Sequence, residues 1–75
     1  MSRKLPALKP EDVLRALQRA GFLLHHTTGS HYILKHPEKG LRVTLPWHNK
    51  DLKRGTLGSI LEQSGYTAEE FVELL

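Results

Sequence analysis

The chain has 75 residues, no cysteine, and a formal net charge of +3. This length suits one domain, and a domain so small buries only about 60% of the surface its unfolded chain exposes. Without cysteine, disulfides and thiolate metal sites are excluded. No apolar run approaches the roughly 20 residues needed to span a bilayer, and Met1-Ser2-Arg3-Lys4 has no signal-peptide character. A cytoplasmic protein is the expectation. The charge is unevenly placed. Residues 62–75 carry Glu62, Glu69, Glu70 and Glu73 and no base, so all 11 Lys and Arg fall in the first 61 residues. A basic body with an acidic tail suits a polyanion-binding face, or equally a solvated surface.

Residues 1–9 hold Pro6 and three bases without period, and read as a loose arm. Pro10 suits the first position of a helix, where its missing N–H costs nothing. Glu11 and Asp12 suit the first turn. Val13, Leu14, Leu17 and Ala20 make an apolar stripe at helical spacing, and Gly21 is a natural stop. The first helix is predicted over about 10–20.

Residues 22–27, Phe-Leu-Leu-His-His-Thr, form a strand candidate that alternates poorly. Thr28-Gly29 makes a turn and 30–35 the next strand. There Tyr32 and Leu34 share one face, and His31, Ile33 and Lys35 the other. Residues 36–40 have hairpin-loop chemistry, with Pro37 and Gly40. Residues 41–45 alternate, with Leu41, Val43 and Leu45 inward, and Pro46 ends the strand. A polar, basic loop over 47–53 leads to a second helix at about 55–64, stopped by Gly65. Thr67 and Glu70 form a capping box for a third short helix. The order α-β-β-β-α with a short final helix implies an α+β two-layer sandwich. Double-stranded-RNA-binding domains show the same order, an analogy of fold alone.

Five histidines lie between positions 25 and 48. They sit on strands and loops, not at the i, i+4 helical spacing of zinc motifs, and Glu38 is the one acid before residue 50 in that stretch, so no metal site is expected. His25, His26 and His36 read as ordinary strand or loop histidines, each still able to touch phosphate when protonated. His31 follows the Gly29-Ser30 turn and points away from the helix layer, which makes it the candidate for acid–base chemistry. An RNA 2′-hydroxyl attacking its own phosphate needs a proton acceptor, a proton donor and cations, and no cofactor. Histidine suits either proton role near neutral pH.

Lys35, Arg42, Lys50, Lys53 and Arg54 are the candidate RNA-binding cations; each taken singly also reads as a solvated charge. Ser30 precedes His31, and strand alternation opposes a Ser–His pair. The N–H groups at Gly55-Thr56-Leu57-Gly58 are able to hold a phosphate, but the Walker pattern is absent. Trp47 suits base stacking, a lid on the core or a protein interface, with the interface ranked first. Ile33 on the His31 face suits a partner-binding patch.

Taken together these motifs resemble the HicA (YcfA-like) family of mRNA interferase toxins. The resemblance rests on Gly21-Phe22 closing the first helix and Gly29-Ser30-His31 opening a strand. It continues from His48 through Leu52-Lys53, Gly55-Thr56-Leu57 and Ile60-Leu61 to Gly65, and covers about residues 8–74. It implies a double-stranded-RNA-binding-like fold and metal-independent mRNA cleavage with the Gly-Ser-His histidine, His31, as catalytic residue. It also implies a HicB-type antitoxin that masks this histidine. Around Arg54 and Gly58 the chain departs from the basic or proline residues of many relatives. The alternatives are a non-catalytic RNA-binding module of the same fold and a pure protein-interaction domain.

Overall fold

The computed structural model describes residues 5–75. Arg3 and Lys4 of the predicted arm lie outside the described residues. The elements in chain order are α1 (Pro10–Arg19), β1 (Leu23–Thr28), β2 (His31–Lys35), β3 (Arg42–Pro46), α2 (Arg54–Ser64) and α3 (Ala68–Val72). The three strands form one antiparallel sheet in the order β1-β2-β3. This is the α+β order expected from the sequence, with element ends displaced by a residue or so.

The helix ends follow from local chemistry. Pro10 opens α1, and the Asp12 carboxylate accepts the Lys9 N–H at 2.9 Å. Thr67 and Glu70 satisfy each other's backbone N–H groups at 3.1 and 2.9 Å, which starts α3. Gly65 ends α2 with φ 80°, a conformation that costs a residue with a Cβ about 1 kcal/mol or more.

The core lies between the helices and one face of the sheet. Val13, Ala16 and Leu17 of α1 meet Leu34, Val43 and Leu45 of the strands, with Leu57 and Ile60 of α2 and Phe71 of α3. The segment before α1 is anchored at its end. Leu8 is buried, and its carbonyl accepts the Leu52 N–H at 2.8 Å, which ties the loop after β3 to the start of the fold. Leu41 packs against the core from just outside β3.

Among the described residues, no helix of the core cluster packs on the other face of the sheet. Cross-strand register gives its rows as Thr28, His31 and Pro46; His26, Ile33 and Thr44; and Leu23, Lys35 and Arg42. Ile33 is nevertheless only 5% exposed. Its register neighbours His26 and Thr44 flank it, so it is a covered floor of this face. That corrects the reading of Ile33 as a free apolar patch. Exposed apolar surface lies instead on β1, at Leu23 (61%) and Leu24 (41%). The two edges of the sheet also differ. On β3 the Thr44 N–H donates to Gln63 Oε1 of α2 at 2.8 Å, whereas all six residues of β1 are exposed.

Candidate functional site

The exposed sheet face carries three of the predicted site residues, His31, Lys35 and Arg42. His31 is the first residue of β2 and is exposed. The Gly29 φ of 49° makes the turn that brings it there. The Trp47 N–H donates to the Ser30 carbonyl at 2.6 Å, so the loop after β3 departs beside His31. Ser30 lies in the turn, outside the strand, and strand alternation does not govern it. Its Oγ sits 3.4 Å from His31 Nδ1. The contact is long for a hydrogen bond, but it sets the hydroxyl beside the ring. Alternation taken one residue too far is why sequence reasoning opposed it.

Lys35 and Arg42 stand opposite each other in the β2–β3 ladder on the same face as His31. They occupy its far end. Four residues along β2 separate His31 from Lys35, about 13 Å at 3.3 Å per residue. One phosphate therefore cannot touch both ends, and these cations suit a neighbouring phosphate. Lys50, Lys53 and Arg54 are exposed in the loop and at the start of α2. The structure does not gather them against His31. They follow it along the loop, where the Lys50 N–H donates to His48 Nδ1 at 3.1 Å.

Trp47 stacks on Tyr32 with ring centroids 4.0 Å apart and planes within 6°. Both rings pack against the core. Trp47 is thus a lid that buttresses β2 from behind His31. It also borders a cleft of about 420 Å³ with Lys9, Glu11, His48 and Asn49.

His36 has a structural role, as its sequence position suggested. It is 7% exposed. Its Nδ1 accepts the N–H groups of Glu38 and Lys39, each at 3.2 Å, and its Nε2 lies 3.2 Å from the Ala20 carbonyl. A neutral ring with the proton on Nε2 satisfies all three. The ring meets Phe22 edge-on at 5.1 Å.

His25 and His26 are the feature that sequence reasoning passed over. The pairing of β1 with β2 slips between Leu24 and His26. Such a bulge breaks the alternation of side chains. The two rings consequently meet, with Nδ1 of one 2.6 Å from Nδ1 of the other. The Lys35 charge, with smaller contributions from local desolvation, His26 and Arg42, holds the exposed His25 below its ordinary pKa of 6.5. The poor alternation of 22–27 was the available signal.

Among the described residues, no three His, Cys, Asp or Glu side chains converge so as to hold a metal ion. None of the described helices is long and apolar enough to cross a membrane.

A small α+β sandwich with a basic, histidine-bearing open sheet face is the class of molecule these features define. The family model for the HicA toxin of bacterial toxin–antitoxin systems matches residues 10–66. The chain belongs to that family and is a toxin, with a cognate antitoxin as its partner. No curated protein matched the chain.

Proposed function

We propose that this toxin is an mRNA endoribonuclease whose exposed sheet face binds RNA and whose His31 transfers a proton during cleavage. The observation that carries the reading is the placement of His31. It is an exposed imidazole at a strand start, on the same open face as the Lys35–Arg42 pair, in a chain of a toxin family. The RNA 2′-hydroxyl supplies the nucleophile, so the protein needs proton carriers and cations, and no metal or cofactor. Ser30 Oγ lies on the Nδ1 side of His31, which leaves Nε2 for substrate.

Lys35 and Arg42 hold the backbone through phosphate, a contact that positions the strand without reading its sequence. Lys50, Lys53 and Arg54 extend the basic track beyond β3. The antitoxin, of HicB type, acts by covering the same face, with exposed Leu23 beside Lys35 as an apolar contact. A non-catalytic RNA-binding module would share the charge pattern and differ in leaving the strand intact.

The test is cleavage of a structured mRNA in EDTA by the native protein and by His31→Ala. The reading expects scission by the native protein alone, with the variant still folded and still binding RNA. Equal cleavage by both would reassign the chemistry to another residue. No cleavage by either would leave the binding module.

A further inference from the structure

One proton carrier is insufficient for the cleavage proposed above. The attacking 2′-hydroxyl must lose a proton, and the departing 5′-oxygen must gain one. His31 supplies one group, and the question is what supplies the other.

The register of the sheet narrows the choice. Thr28 pairs with His31 and His26 with Ile33. His26 is therefore the diagonal cross-strand neighbour of His31 on the open face, at a backbone separation of about 7–8 Å. Ile33 lies between them as a floor that is 5% exposed. In phosphoryl transfer the attacking and leaving oxygens lie roughly in line through phosphorus. Each then accepts or donates one hydrogen bond of about 2.7 Å. The span of that arrangement is of the same order as the His26–His31 separation.

The bulge supplies the second element. Bulges re-aim side chains and recur next to active sites, and this one brings His25 into contact with His26. At 2.6 Å between the two Nδ1 atoms, one of them must carry a proton and the other a lone pair. Two protons would collide, and two lone pairs would repel.

We propose that His26 is the general acid that complements His31, and that His25 is the positioning residue that holds it. His25 offers its Nδ1 lone pair and receives the His26 Nδ1–H, which leaves the Nε2–H of a protonated His26 facing the substrate. Among the described residues, the register puts His26 of β1, His31 and Lys35 of β2 and Arg42 of β3 on this face, with His25 against His26 at the bulge. Lys35 and Arg42 both oppose charge on His25. The proposal assigns the shared hydrogen to His26, which stands one residue further along β1 from that cationic end.

The step balances. The 2′-oxygen bonds to phosphorus while neutral His31 takes its proton. The bond from phosphorus to the 5′-oxygen breaks, and that oxygen takes the Nε2 proton of His26. The products are a 2′,3′-cyclic phosphate and a 5′-hydroxyl, with His31 protonated and His26 neutral. No oxidant, metal or further reactant is consumed. This assignment rests on the ribonuclease reading.

The test compares native protein, His31→Ala, His26→Ala, His26→Asn and His25→Ala on two RNA oligonucleotides. One is ordinary, and the other carries sulfur in place of the bridging 5′-oxygen at the scissile position. A thiolate leaves without protonation, so it bypasses a missing acid. Both His26 variants should cleave the ordinary substrate about 10²–10⁴-fold more slowly, return to within about tenfold of native on the thio substrate, and lose the alkaline limb of the pH–rate profile. His31→Ala should fail on both. His25→Ala should shift the alkaline limb without removing it. Native rates from the His26 variants on ordinary RNA would overturn the assignment. So would equal slowing on both substrates. If native protein leaves both oligonucleotides intact, the ribonuclease reading itself falls, and the assignment with it.

Discussion

Lys35 and Arg42 stand directly opposite one another across the β2–β3 ladder, side chains on the same exposed face. Neither makes a salt bridge among the described residues. Like charges placed opposite in a sheet repel and cost stability. A phosphate placed between them would convert that repulsion into attraction.

The salt dependence of RNA binding measures this directly. Each cation that contacts phosphate adds about 0.7–0.9 to the slope of log affinity against log salt. Lys35→Gln and Arg42→Gln should each reduce the slope by about one phosphate contact and weaken binding to all sequences alike. Affinities measured between 50 and 200 mM salt would show it. A slope unchanged in the double variant would place the RNA elsewhere.

The titration of His25 should report the same field. Its folded-state pKa lies below 6.5, chiefly through Lys35, so between that lowered value and 6.5 the unfolded chain binds more protons than the folded one. Stability contributed by this group is then present above pH 6.5 and falls as the pH drops through the window. Removing the Lys35 charge should raise the His25 midpoint toward 6.5, and added salt should do so partially, because the group is exposed and the repulsion is screened. Proton NMR titration of the imidazole resolves both effects.

His36 should matter for stability and not for chemistry. His36→Ala leaves the Glu38 and Lys39 N–H groups without their acceptor and removes the edge contact with Phe22. A loss of about 2–4 kcal/mol is expected. Gly21→Ala attacks the same spot from the other side. Gly21 has φ 100°, and a Cβ there would lie 2.9 Å from His36 Nε2, for an expected loss of about 1–3 kcal/mol. Urea denaturation measures both, and neither variant should lose cleavage per folded molecule.

Trp47→Ala removes the ring stacked on Tyr32 behind the His31 strand. The expected cost is about 3–5 kcal/mol, at the lower end because the ring is half-buried. RNA affinity per folded molecule should change little. A large affinity loss in a stable variant would return Trp47 to a base-stacking role.

The fold was legible in the chain because each element carries its own punctuation. Pro10 and Gly21 bracket α1, Gly65 stops α2, and Thr67 with Glu70 starts α3; these are local interactions that require no knowledge of what packs where. His31 was legible for a similar reason, since a Gly-Ser turn followed by alternation sets its side. Three features depended on the assembled sheet. Ile33 is covered because His26 and Thr44 flank it from two other strands. Lys35 and Arg42 form a pair because the ladder aligns residues seven apart in the chain. His25 meets His26 because β1 slips one residue against β2, and pairing register is a property of two strands that neither sequence segment holds alone. Local chemistry determined the elements and their order. Cross-strand register decided which side chains share a face, and so which of the five histidines stand together.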